Sequence, residues 1–144
     1  MEKPCWTPLH TAAREGDVKR LQKCMGEIEW LQPMDVNAKT ANGHTPLHMS
    51  AANGHTEAMG VLIKEKADLD SQTISGNTPL HLSAMGGHQD SCKALISQGA
   101  DVRKVNKKGS SIADVCPTKL QDLKGMLEKE IREKGGVSTS MQEV

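Results

Sequence analysis

Thr45-Pro46-Leu47-His48 is the stretch on which the reading of this chain turns. It occurs earlier as Thr7-Pro8-Leu9-His10 and later as Thr78-Pro79-Leu80-His81, at spacings of 38 and 33 residues. A weaker echo, Ser111-Ile112-Ala113-Asp114, follows after another 33. The match runs on through Ala13, Ala51 and Ala84, through Gly16-Asp17, Gly54-His55 and Gly87-His88, and into Asp35-Val36-Asn37, Asp68-Leu69-Asp70 and Asp101-Val102-Arg103. Self-similarity over whole periods of this length marks a repeat architecture.

One period has a local physical logic. Thr before Pro places a hydroxyl at a helix N-cap and Pro at the first helical position. His10, His48 and His81 stand where a capping box would carry Glu or Gln, and are expected to answer the Thr hydroxyl and tie adjacent backbones. Ser111 and Asp114 form the same pair in other residues. Gly16, Gly54 and Gly87 end the short helix in the left-handed region. A second helix follows, with apolar residues such as Ala58, Met59, Leu62 and Ile63, or Cys92, Leu95 and Ile96, at helical spacing. His55 and His88 fall at the helix junctions. The segments 40–43, 73–76 and 106–109 each end in Gly and suit a type I turn at a hairpin tip.

A helix–turn–helix–hairpin unit of this period with Thr-Pro-Leu-His at its head resembles the ankyrin repeat, over residues 2 to 134. The resemblance implies an all-α solenoid of helix-turn-helix units with short β-hairpin loops. It divides the chain into repeats at 2–39, 40–72, 73–105 and 106–134, with an insertion at 26–34 and a frayed tail at 135–144. The chain reads as a free-standing small ankyrin protein.

Departures from the pattern carry information. Trp30 lies in the insertion, where it either pins that loop or offers an anchor. Lys66 occupies the left-handed cap position that Gly99 fills one repeat later. Gly125 falls inside the last helix, and Arg20 replaces an apolar residue, as suits a terminal repeat with one face in water. Leu120, Leu123, Leu127 and Ile131 predict a last helix over 119–134, either a cap on the final interface or a docking element.

Composition narrows the function. The 18 Lys and Arg balance 18 Asp and Glu, so the surplus positive charge of a general nucleic-acid binder is absent. There is no Phe or Tyr to stack on bases. No 18-residue apolar run suggests a membrane span, and the first residues lack the apolar core of a signal peptide. Cys5, Cys24, Cys92 and Cys116 are far apart and expected to be reduced thiols, which points to the cytoplasm, the nucleus or both. No nucleophile elbow, phosphate loop or zinc-protease motif occurs. Neither catalysis, metal nor cofactor is expected, nor is a small-molecule substrate. Cys5 with His10 lacks an orienting third group, and His44 with His48 lacks a second ligand pair.

What remains is binding. The family's members act overwhelmingly through a concave face of hairpin tips and first helices. Carried over position by position, that face is Trp6, Arg14 and Glu15 in the first repeat, then Ala41, Asn42, His44, Ala52 and Asn53 in the second. It continues with Ile74, Ser75, Asn77, Met85 and Gly86, and ends with Lys107, Lys108 and Ser110. Trp6 aligns with the polar His44, Asn77 and Ser110, so its position faces water. Ile74 and Met85 would form a small apolar centre, and Arg103, Lys104, Lys107 and Lys108 a basic finger. The expected function is a monomeric adaptor, inhibitor or regulatory subunit that binds one or more proteins. The alternative is a transcriptional regulator docking through the same face with its basic finger near phosphate.

Overall fold

The structure is a computed structural model, and it describes residues 6–26, 34–117 and 121–133. Eight helices appear among them, in pairs: α1 (Pro8–Glu15) and α2 (Val18–Met25), α3 (Pro46–Ala52) and α4 (Thr56–Lys64), α5 (Pro79–Met85) and α6 (Gln89–Ser97), α7 (Ile112–Val115) and α8 (Gln121–Ile131). Odd helices pack in an inner row, α1 on α3 on α5 on α7, and even helices pack behind them in an outer row. Helices of 7 to 9 residues, such as α1 to α6, are too short to persist alone in water. Their stability comes from neighbours, as expected of a solenoid.

The core is periodic because the sequence is. Leu9, Leu47 and Leu80, the third residue of each Thr-Pro-Leu-His motif, are fully buried, and so is Ile112, the second residue of the fourth. Leu21, Met59 and Cys92 occupy one register of the outer row and Leu62 and Leu95 the next, all fully buried. Each such side chain contributes roughly 1.5–3 kcal/mol relative to exposure. The inner helices approach closely through small residues, Ala12 and Ala13, Ser50 and Ala51, Ser83 and Ala84. The buried Ser50 and Ser83 hydroxyls donate to the Leu47 and Leu80 carbonyls of their own helices. In the last helix Leu127 is buried, and Gly125 lies mid-helix as the sequence predicts. Leu120, Cys5, Trp30 and the tail 135–144 lie outside the described residues.

The expected β-hairpins are corrected to turns: no strand occurs among the described residues. Each finger closes on itself, with the N–H of Thr40, Thr73 and Asn106 donating to the carbonyl of His44, Asn77 and Ser110 at 2.9–3.0 Å. Neighbouring fingers share one backbone bond each, Ile74 N–H to the Asn42 carbonyl and Lys107 N–H to the Ser75 carbonyl, both 3.0 Å. One bond per finger is too few to make a ladder.

Lys66 is the one non-glycine residue with positive φ among those described, at 67°. A Cβ in this region crowds the following carbonyl. Lys66→Gly should therefore stabilise the protein by about 1 kcal/mol, raising the melting temperature by about 3 °C. An unchanged or lower melting temperature would mean that Lys66 escapes the strain in solution.

Candidate partner-binding face

The fingers and the inner row are positioned by a relay of histidines. The Thr45 N–H donates to Nδ1 of His48 at 3.1 Å, while the His48 N–H returns to the Thr45 hydroxyl at 3.3 Å. Because Nδ1 accepts, the ring proton sits on Nε2. Nε2 then donates to the Asn77 carbonyl, at the end of the next finger, at 3.0 Å. His10 does the same to the His44 carbonyl at 2.9 Å, and His81 to the Ser110 carbonyl at 3.1 Å. The capping chemistry predicted for Thr7, Thr45 and Thr78 with their histidines is thus present, and each ring also holds the following unit. Ser111 and Asp114 keep the reciprocal cap, but a carboxylate has no N–H to pass on. Burial pushes the His48 imidazole down to about 4, and pushes His10 and His81 in the same direction.

Two further couplings join successive units. The His88 ring sits over Gly54 and donates from Nε2 to the Ala52 carbonyl at 3.0 Å. The His55 ring lies equally close to Gly16. At the finger bases, Asn37 Oδ1 accepts the Asp68 N–H and Asp70 Oδ1 accepts the Asp101 N–H, both at 2.8 Å. Sequence reasoning registered the repeating Asp-x-Asn/Asp pattern without assigning it this role.

A family model for ankyrin repeats, three copies, matches residues 9–106. That is most of the chain, and within it lie all the relay histidines. The chain belongs to the ankyrin-repeat family. Ankyrin repeats are generally protein–protein interaction modules. The human ankyrin repeat domain-containing protein 7 is 40% identical over 58 residues, 40% of this chain and 21% of that protein. Human ankyrin repeat domain-containing protein SOWAHB is 35% identical over 63 residues, 43% of this chain and 8% of its own length. Acyl-CoA-binding domain-containing protein 1 of Arabidopsis thaliana is 36% identical over 59 residues, 41% of this chain and 16% of its own. The ankyrin chain thus spans about a fifth or less of these relatives. Its fourth helix pair, α7 and α8, lies beyond the matched segment.

On this ankyrin scaffold the sequence-predicted face separates into free and engaged residues. Trp6 is 40% exposed; its indole N–H donates to the Thr11 hydroxyl at 2.7 Å, its ring lies 5.7 Å from that of His10, and the Arg14 guanidinium sits 5.3 Å from its centroid. Such a cation over an indole is attracted by the ring's negative face. Trp6 is therefore both anchored and partly open to solvent. Glu15 is paired with Arg20 at 3.6 Å, and Arg20 is exposed as its terminal position predicts.

Ala41 and Asn42 are exposed at the first finger tip. His44 is half-buried, edge-on to His48 at 5.8 Å, and burial lowers its pKa. Asn53 is exposed, with its side-chain amide donating to the Met49 carbonyl at 2.9 Å. Ile74 and Ser75 are exposed, and Met85 with Gly86 at the end of α5. Asn77 instead accepts from the Asn106 amide at 3.0 Å, which ties two fingers together. Lys107 and Lys108 are exposed, and no described carboxylate lies within ion-pair distance of either ammonium.

Val105, at the entry to the third finger, is half exposed and was missed from sequence. The available signal was its alignment with the polar Lys39 and Gln72. With it, the large exposed hydrophobic residues of the described chain are Trp6, Ile74, Met85 and Val105. Each of the four lies in or next to a finger or an inner-row helix. Cys92, by contrast, is buried against the Ser83 hydroxyl at 3.1 Å, and its thiol is pushed up to about 11, which keeps it protonated. No helix of the described residues is long and apolar enough to cross a membrane.

Proposed function

We propose that this chain is a non-catalytic recognition module that binds a partner protein through its finger tips and inner helix row. In this reading it acts as an adaptor, inhibitor or regulatory subunit, as a monomer in the cytoplasm or nucleus. The observation that carries the proposal is where the large exposed hydrophobic side chains of the described residues fall along the chain: Trp6, Ile74, Met85 and Val105 each lie in or next to a finger or an inner-row helix, and none lies on an outer-row helix. Isolated exposed hydrophobic residues are ordinary, but a set confined to these elements suggests a contact surface. Trp and Arg are also enriched among residues that dominate binding energy, and Trp6 with Arg14 supplies such a pair.

The test is affinity capture from a native lysate with quantitative mass spectrometry. Wild-type protein is run beside a Trp6→Ala, Met85→Ala, Lys107→Glu variant whose circular dichroism is unchanged. Loss of about 90% or more of a captured protein with the variant is the expected result, since truncating a central anchor costs 2 kcal/mol or more. Retention of all captured proteins would place the contact surface elsewhere on the chain.

A further inference from the structure

Charge on the finger side is arranged as two cationic ends around an uncharged middle. Helices α3 and α5 carry no Asp, Glu, Lys or Arg, and neither does the second finger, Thr73–Asn77. The exposed Ile74 and Met85 lie in this middle zone. At one end stands Arg14, stacked on Trp6; at the other stand Lys107 and Lys108 on the third finger. The carboxylates of the described inner row are both engaged. Glu15 is held by Arg20, and Asp114 accepts the Ser111 N–H at 2.9 Å. At the finger bases, Asp35, Asp68, Asp70 and Asp101 accept backbone N–H groups of their own turns or the next. The outer row, by contrast, carries side chains of both signs: Glu57 and Asp90 lie in the first turns of α4 and α6, and Asp122, Glu128 and Glu130 lie on α8 with Lys124 and Lys129. The chain is neutral overall, so the cationic finger side is a matter of placement and not of composition.

From this placement we infer that the partner presents an extended acidic segment, with apolar side chains at its centre and carboxylates toward both ends. The inference rests on the finger-side reading above and gives its partner a chemistry. The central apolar side chains would cover Ile74 and Met85. The flanking carboxylates would meet Arg14 at one end and Lys107 with Lys108 at the other. Three helix-to-helix steps of about 8–10 Å separate α1 from α7, so the ends lie roughly 25–30 Å apart. An extended chain advances about 3.3–3.6 Å per residue, so about eight residues span the distance. Exposed cations of this kind act chiefly on encounter and orientation, and their effect falls with salt.

The test is selection from a random peptide library displayed on phage, using the full chain as bait. Enriched peptides are then synthesised and measured by fluorescence anisotropy. The expected pool has a net negative charge and apolar residues between its acids. Lys107→Glu with Lys108→Glu should weaken these peptides roughly tenfold or more in low salt, and the difference should shrink in high salt. Ile74→Ser with Met85→Ser should weaken them at every salt concentration. A neutral or basic pool that is lost with Ile74→Ser and Met85→Ser would overturn the acidic partner while leaving the finger-side surface standing. A pool indifferent to both pairs of substitutions, or no enrichment, would overturn the inference. In that case lysate capture with the Trp6, Met85 and Lys107 variant separately decides the finger-side reading. Labelled polyuridylate binding more tightly than the best peptide would also overturn it, because phosphate and not carboxylate would then be the ligand of the basic finger.

Discussion

Replacing His48 with alanine should destabilise the protein by about 3–5 kcal/mol, a range set by large-to-small core losses and by buried polar groups left without partners. The ring is fully buried. Its removal leaves the Thr45 N–H without its acceptor and the Asn77 carbonyl without the ring's Nε2–H. It also opens a cavity between the second and third units. In a solenoid each unit is held by its neighbours, so damage at a central interface is felt on both sides. Urea denaturation at neutral pH measures the loss directly. A cost under 1 kcal/mol would mean that water replaces the ring's bonds.

The same residue makes stability depend on pH, with a definite sign. In the folded protein the His48 pKa is lowered from 6.5 to about 4, chiefly by desolvation. Between those values the unfolded chain holds a proton that the folded chain refuses, so stability rises with pH. It is fully present above about pH 7, declines as pH falls through 6.5, and the loss is complete below about 4. Each pKa unit is worth about 1.4 kcal/mol, so His48 alone accounts for about 3 kcal/mol. His10 and His81 act in the same direction. Urea midpoints at pH 7.5 and 4.5 should therefore differ strongly in the wild type and less in His48→Ala. Equal pH slopes in the two proteins would show that His48 does not carry the effect.

Gly54→Ala should cost about 3 kcal/mol, for two separable reasons. The residue sits at φ 73°, where a side chain costs about 1–2 kcal/mol. A Cβ there would also stand 2.6 Å from Nδ1 of His88 and 2.9 Å from its Cγ. The His88 ring has little room to retreat, because its Nε2 is bonded to the Ala52 carbonyl. Overpacking of this kind adds about 1–3 kcal/mol. Gly99→Ala is the control: its φ is 98°, but a Cβ there meets nothing within 4 Å. It should show the backbone cost alone, about 1 kcal/mol. Equal losses at the two sites would mean that the His88 ring yields freely. A double-mutant cycle of Gly54→Ala with His88→Ala should recover the steric part.

Much of the scaffold was legible because its chemistry is local. Thr45 and His48 are three residues apart, so a cap between them is readable from spacing. Lys66 betrayed its left-handed backbone because the residue one period later is Gly99. The candidate face was legible in part. Alignment of Trp6 with polar residues exposed it to solvent, but Asn77 and Glu15, placed on the same face by analogy, are tied up by Asn106 and Arg20. Those engagements depend on which side chains meet across units or helices, and spacing alone does not say so.

The sequence by itself determined the repeat, its caps, its buried leucines and the family that they mark, because each of these is a short-range pattern repeated along the chain. Only the tertiary structure decided where the relay histidines send their Nε2 protons, that the His55 and His88 rings close over glycines of the preceding unit, and that the fingers are turns joined by single bonds instead of strands. All of these join residues about 30 positions apart, and stacking the units is what brings such residues within bonding or packing distance.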